Sequence, residues 1–168
     1  MGKKTGKIVA VAFVVALALV YALVPVPGWM DEGLSLRCAL THHFWHANVF
    51  HLAANGFALL VFAWAFPKWY RLLPAAFVAA SFSTIFATQP VIGLSNIIFA
   101  MSGLCAPKVK GYWKLHTTWI FIGVMIGMLL IPRFSAMTHI ASFIAGFVFG
   151  GIGEAIRRTA NDCRRAGS

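Results

Sequence analysis

The chain has 168 residues, of which 60% are hydrophobic, and it carries 14 Lys and Arg against 4 Asp and Glu. Charged residues make up 11% of the sequence, whereas soluble domains average about 25%. So few charges cannot cover a soluble fold with polar surface, and the chain therefore belongs in a bilayer. The net charge of +10 does not indicate nucleic-acid binding, because the basic residues lie in short clusters between apolar runs, as in cytoplasmic loops.

Apolar runs divide the sequence into candidate transmembrane helices. A spanning helix needs roughly 17 to 25 residues, so a chain of this length holds about six of them. The sequence therefore predicts an all-α polytopic membrane protein, with one membrane domain over residues 1–168 and no soluble domain. We place the spans at about residues 8–24, 46–66, 72–87, 93–106, 115–131 and 138–156.

The distribution of Lys and Arg predicts the orientation. With the N-terminus inside, only Arg37 and Arg133 of the 14 basic residues lie in outer loops. An excess of Lys and Arg marks the cytoplasmic side of a membrane protein. An even number of spans returns the basic tail to that side, so both termini are predicted to be cytoplasmic.

Polar residues within the predicted spans collect at one level. His51 and Asn55 lie in the early turns of the second span, Ser95 opens the fourth, and His139 opens the sixth. In the predicted topology these spans all start at the outer face, so their polar groups lie at one depth, a little below the outer surface. Polar residues inside a membrane are costly and usually functional.

These residue types suit nucleophilic catalysis. Ser95 has no base near it in sequence, so the fold must supply one, and His139 can fill that role. His51 and Asn55 are four residues apart, share a helix face and can hold a developing oxyanion. His46 is about 140° round a helix from His51, so we expect it to face elsewhere. The alternatives are that Ser95 caps its helix and that each His is a hydrogen-bonded packing residue.

Small residues follow His139 along the sixth span at helical spacing. They are Ser142, Gly146, Gly150 and Gly153. Small residues let helices approach closely in lipid, so this stripe is expected to press His139 against a neighbouring span. Ordinary helix packing explains the glycines, but it does not explain why a His precedes them on the same helix face.

The absence of acids from the spans excludes several kinds of membrane enzyme. All four Asp and Glu lie in loops, at the inner end of the sixth span or in the tail, so no pair of buried carboxylates exists for an aspartyl protease. No His-Glu-x-x-His motif is present for zinc. We therefore expect no metal or other cofactor. A metal site or transporter built on His42, His43, His46 and His51 is an alternative that lacks a carboxylate or thiolate ligand.

Three motifs together resemble those of the rhomboid family of intramembrane serine proteases. The family shows His-x4-His-x3-Asn on its second span, and this chain has His46, His51 and Asn55. It shows Gly-x-Ser-Gly opening the fourth span, and this chain reads Gly93-Leu94-Ser95-Asn96. A His followed by small residues heads the sixth span in both. In span order, the match covers essentially the whole chain.

The resemblance implies a six-transmembrane-helix rhomboid-like bundle and a Ser-His dyad without an acid. Ser95 would be the nucleophile and His139 its general base, with His51, Asn55 and the backbone N–H of Ser95 forming the oxyanion site. Structural residues near that site would be His46, Gly93, Ser142 and Gly146.

The family cuts transmembrane helices of other membrane proteins near the outer surface. The expected partners are therefore transmembrane-helix protein substrates and the lipid bilayer, with no nucleic acid. The expected location is the plasma (inner) membrane of a bacterium, with the active site near the outer face.

The chain departs from the family pattern at several positions. Asn96 stands in place of Gly after the nucleophile, which raises a question about the local backbone. Phe99 replaces a frequent Tyr, and Ser142 replaces a Gly. The alternative function is a rhomboid-like pseudoprotease that acts as a membrane-protein binding or quality-control module. Such pseudoproteases typically lack the Ser or the His, and this chain has both.

The predicted topology can be tested with reporter fusions. A reporter fused after Arg37 should lie outside and one fused after Lys110 should lie inside, because the charge distribution puts these loops on opposite sides. An enzyme active on only one side of the membrane provides the measurement. The same side for both fusions would contradict the six-span arrangement.

Overall fold

The computed structural model describes residues 2–26, 35–66, 68–86, 91–108, 111, 119, 122–123, 126–127 and 135–166. These residues are helical or lie in turns, and no strand occurs among them, which confirms the all-α prediction. The helices are α1 (Gly2–Leu23), α2 (Leu36–Thr41), α3 (Val49–Ala65), α4 (Leu73–Ser83), α5 (Ser95–Cys105) and α6 (Ala136–Ala166). Short 3-10 turns cover His42–Phe44, Trp69–Leu72, Thr84–Phe86 and Ala106–Lys108. Most of the predicted fifth span, 115–131, lies outside the described residues.

Within the described part of the chain, two helices are long and apolar enough to cross a membrane. They cover Lys4–Leu23 and Ala136–Arg165. A third candidate joins Leu36–Phe44 to Val49–Ala65 through a bend of 81°. Long apolar helices with exposed apolar surfaces indicate an integral membrane protein. Since α4 and α5 have only 11 residues each, the arrangement with six spans stays a prediction.

The start of α3 is set by a side-chain cap. Asn48 has extended backbone angles, and its side chain accepts the backbone N–H of His51 at 2.9 Å. Such a cap satisfies one of the N–H groups that the first turn of a helix leaves without a partner. The helix therefore begins at Val49, three residues after His46, where the second span was predicted to start.

The centre of the fold is α5. Nine of its 11 residues are buried, and it packs against α6, α4 and α3. Short apolar helices of this kind can be buried on all sides because other helices supply the contacts. The first residue of α5, Ser95, is consequently held at a fixed position among the other helices.

Glycines bring α5 and α6 into backbone contact. A methyl group built on Gly103 of α5 would collide with the backbone of Phe143 and Phe147. A methyl on Gly146 would collide with the backbone of Ala100, and one on Gly150 would lie 2.7 Å from the carbonyl oxygen of Leu104. The stripe predicted after His139 thus packs against α5 through Gly146 and Gly150. Gly153, by contrast, has no atom of the described residues within 4 Å of such a methyl.

The last helix is longer than the predicted span of residues 138–156. It runs from Ala136 to Ala166, so the polar tail continues it. Several residues beyond the apolar part have high helix propensity, namely Arg157, Arg158, Ala160, Arg164 and Arg165. Arg157 and Arg158 bond the Glu154 carboxylate at 2.7 and 3.1 Å, and pairs at this spacing stabilise a helix slightly.

The backbone contact between α5 and α6 makes Gly146→Ala a sharp test of the packing. The added methyl meets the Ala100 backbone, which cannot move aside by changing rotamer, and overpacking costs about 1–3 kcal/mol. We expect a thermal midpoint in detergent that is lower by roughly 5 °C. Gly153→Ala is the matched control and should be neutral or slightly stabilising, because Ala favours helix and the site is open. Equal midpoints for the two variants would contradict the contact.

Candidate active site

Ser95 and His139 meet where two helices begin. Ser95 is the first residue of α5, and His139 lies in the first turn of α6. The Ser95 Oγ atom lies 2.7 Å from His139 Nε2, which is a normal length for a hydrogen bond to a hydroxyl. The N-cap of α5 is Leu94, which forms no side-chain cap. Ser95 therefore does not cap the helix, and its hydroxyl contacts the His139 imidazole instead.

The other nitrogen of His139 fixes the tautomer. His139 Nδ1 lies 2.6 Å from the carbonyl oxygen of Ser135. A carbonyl oxygen can only accept, so Nδ1 carries the hydrogen and donates it. Nε2 then has a free lone pair and accepts the hydrogen of the Ser95 hydroxyl. A serine in this arrangement can pass its proton to the imidazole when the oxygen attacks.

The backbone before Ser95 lies directly against α3. Gly93 has φ +109°, and a methyl built there would lie 2.6 Å from His51 Cε1 and 3.1 Å from Asn55 Nδ2. Only Gly fits, both because of the positive φ and because a side chain would occupy the place of the His51 ring. Both side chains are buried, and His51 Nδ1 and Asn55 Nδ2 have no hydrogen-bond partner among the described residues. These polar groups therefore lie beside the turn that carries Ser95.

The expectation that His46 faces away from His51 was wrong. The two rings meet edge to face, with centroids 5.2 Å apart and planes 69° apart. The reason is that His46 precedes the cap residue Asn48, so the angular spacing of a helix does not apply to it. Neither ring nitrogen of His46 has a hydrogen-bond partner in the described part of the chain. His46 therefore supports the His51 ring by packing.

Asn96 uses its side chain rather than an unusual backbone. It lies within the first turn of α5, on ordinary helical backbone, and it is fully buried. His42 donates its Nδ1–H to the Cys38 carbonyl at 3.0 Å, which leaves His42 Nε2 to accept from Asn96 Nδ2 at 3.5 Å. The backbone N–H of Gly93 also donates to the His42 carbonyl at 2.9 Å. The segment after α2 thus bonds the turn that carries Ser95 at two points.

Two further sequence departures pack around the same helices. The Phe99 ring lies edge to face against the His139 ring, with centroids 5.0 Å apart. Ser142 is buried, and its hydroxyl lies 2.6 Å from that of Ser83 on α4. Among the described residues, no group of three or more His, Cys, Asp and Glu side chains is placed to hold a metal ion.

Several residues of this site had not been singled out from the sequence. The Ser135 carbonyl, four residues before His139, could have been found from helical spacing alone. The cap at Asn48 follows from the usual preference for Asn at that position. The partner of Ser142, which is Ser83, carries no sequence signal, because it lies 59 residues away on another helix.

Comparison with known families decides the family of this chain. The Rhomboid domain family matches residues 34–154, a range that includes all three motifs and the residues they bring together. The chain belongs to the rhomboid family. No protein with a curated description matches it. The chain is therefore a rhomboid-family intramembrane protease or a related protein, and rhomboids act on transmembrane substrates in the lipid bilayer.

Proposed function

We propose that this rhomboid is an active intramembrane serine protease that cleaves transmembrane segments of other membrane proteins by a Ser-His dyad. The observation that carries the proposal is the 2.7 Å contact between Ser95 Oγ and His139 Nε2. It joins residues on different helices with the tautomer that a general base needs, because Nδ1 is held by the Ser135 carbonyl.

The first chemical step uses both residues. His139 Nε2 takes the hydroxyl proton as Ser95 Oγ attacks the carbonyl carbon of the scissile peptide bond. The resulting imidazolium then donates that proton to the leaving nitrogen, and the peptide bond breaks to leave an acyl-serine. Water, deprotonated by His139, hydrolyses the acyl-serine and restores the hydroxyl. The Ser135 carbonyl supports the imidazolium, since its dipole points at Nδ1–H.

Three groups are placed to donate hydrogen bonds to the oxyanion of the tetrahedral intermediate. The first N–H groups of α5 have no partner within the helix, and the positive end of the helix dipole lies at Ser95. The Nδ2 group of Asn55 is a buried donor without a partner among the described residues. The His51 ring lies beside the same turn. We assign the backbone N–H of Ser95, His51 and Asn55 to the oxyanion site, because donors already in place require no reorganisation.

The depth of the site determines which bonds can be cut. In the proposed orientation, with both termini in the cytoplasm, Ser95 and His139 each begin a helix at the outer side. The fitting substrate is then a transmembrane helix whose outer part unwinds far enough to present a peptide carbonyl to Ser95. The plasma membrane of a bacterium is the proposed location.

The dyad can be tested by covalent labelling. A fluorophosphonate probe should label the wild-type protein in membranes, because the probe needs an activated serine and no particular substrate. Ser95→Ala and His139→Ala should each abolish both labelling and cleavage of a transmembrane substrate. The double variant should be no worse than either, because residues that act as one unit are not additive. Undiminished cleavage by His139→Ala would contradict the dyad, and an unlabelled, inactive wild type would favour the pseudoprotease.

The oxyanion assignment is tested by truncating its donors. Asn55→Ala and His51→Ala should lower kcat by about 10²- to 10³-fold, the usual effect of losing one such donor. The thermal midpoint in detergent should change little for Asn55→Ala, because Asn55 Nδ2 has no hydrogen-bond partner to lose among the described residues. Asn161→Ala, on the exposed end of α6, is the control. Unfolding of both site variants would instead assign these residues to structure.

A further inference from the structure

Two buried hydroxyls join α4 to α6 close to the site. Ser83 and Ser142 are both fully buried, and their Oγ atoms lie 2.6 Å apart. Small polar residues form such hydrogen bonds between helices inside membranes, where no water competes for them. The contact pairs one polar side chain from each helix, so neither hydroxyl is left without a partner between the helices.

The two hydroxyl groups make three contacts but have only two hydrogens to donate. Ser83 Oγ also lies 2.6 Å from the Ala80 carbonyl, and Ser142 Oγ lies 2.7 Å from the Thr138 carbonyl. Each hydroxyl has one hydrogen to donate, so two hydrogens serve three contacts. If either serine is replaced by Ala, the other can still donate to the carbonyl of its own helix. A single replacement therefore removes the link between helices without leaving a buried donor unpaired, and its effect on folding should be small.

The link lies next to the turn that carries His139. Ser142 is one turn further along α6, and it bonds the carbonyl of Thr138, the residue before His139. The Thr138 hydroxyl donates to the Ser135 carbonyl at 2.8 Å, the same oxygen that accepts His139 Nδ1–H at 2.6 Å. Ser142, Thr138 and the Ser135 carbonyl thus form one connected group around His139.

The first turn of α6 has few other contacts that hold it in position. The backbone bond from His139 N–H to the Ser135 carbonyl is long, at 3.4 Å, and first turns lack most of the bonds that hold a helix. The glycine contact nearest to His139 along α6 is at Phe143, four residues or about 6 Å away, where Gly103 of α5 meets the α6 backbone. The Ser83–Ser142 contact is closer and lies on the α4 side, where the glycines do not reach.

We infer that Ser83 and Ser142 are positioning residues that hold the first turn of α6 so that His139 Nε2 stays within hydrogen-bond distance of Ser95 Oγ. This inference rests on the proposed protease function. Because neither hydroxyl is exposed, neither contacts the substrate. The pair acts on the alignment of the dyad, and its loss lowers the rate of the chemical step and leaves substrate binding unchanged.

The test compares Ser83→Ala, Ser142→Ala and the double variant with the wild type. The measurements are the rate at which a fluorophosphonate labels Ser95, kcat and KM for a transmembrane substrate, and the thermal midpoint. Each single variant should lower the labelling rate and kcat about threefold to tenfold, the effect of one interhelical hydrogen bond in a membrane. KM and the midpoint should stay close to the wild-type values. The double variant should be no slower than the slower single variant, because both changes remove one interaction.

Ser102→Ala is the matched control. Ser102 is also a buried helical serine, but its hydroxyl donates to the Ile98 carbonyl of its own helix at 3.0 Å, so kcat and labelling should be unchanged. Wild-type labelling rates in Ser83→Ala and Ser142→Ala would overturn the inference while the protease function stands. If the losses of rate in the two single variants add up in the double variant, the inference is overturned. It is also overturned if the rate falls only in variants whose thermal midpoint falls. A wild type that neither labels nor cleaves overturns the protease function, and this inference with it.

Discussion

The backbone contact between α5 and α6 is the constraint on which the rest of the site depends. Gly103, Gly146 and Gly150 remove the side chains that would keep these helices apart. In a bilayer the lipid tails are as apolar as a Leu side chain, so close packing rather than the hydrophobic effect holds two such helices together. Because Ser95 and His139 each lie in the first turn of one of these helices, the same contact that packs the two helices also brings Ser95 to His139.

Polar groups in the interior fall into two sets with different roles. Those of His42, Ser83, Ser142 and the Nδ1 atom of His139 are paired with backbone or side-chain partners. Those of His46, His51 and Asn55 include atoms without partners among the described residues. An unpaired buried polar group is costly, and such groups are expected where a ligand will complete them. His51 and Asn55 lie beside Gly93, and His46 packs against His51. His43 Nδ1 and Asn96 Oδ1 also lack partners among the described residues. The paired groups maintain the geometry of the helices.

The departures from the family pattern are explained by pairing within this chain. Asn96, where the family has Gly, needs no unusual backbone, and its amide reaches His42 from the segment after α2. Ser142, also in place of Gly, is matched by Ser83 on α4. In both cases a buried polar side chain meets a second one from a distant part of the chain. Each of these pairs involves two positions of the chain. A comparison with the family motif at one position therefore does not reveal the partner.

The sequence by itself predicted the helical class, an integral membrane protein, the family and the small-residue stripe, and it singled out Ser95, His139, His51 and Asn55 as candidates. These follow from composition, from helical spacing and from short motifs, which are local properties of a chain. Helix boundaries and contacts across the fold required the tertiary structure. The cap at Asn48 places the start of α3 at Val49 and leaves His46 outside the helix, where it packs against His51. The Ser135 carbonyl determines the tautomer of His139. The partners Ser83 and His42 lie 59 and 54 residues from Ser142 and Asn96. No periodicity connects residues so far apart, because only the packing of α4, α5 and α6 decides which side chains meet.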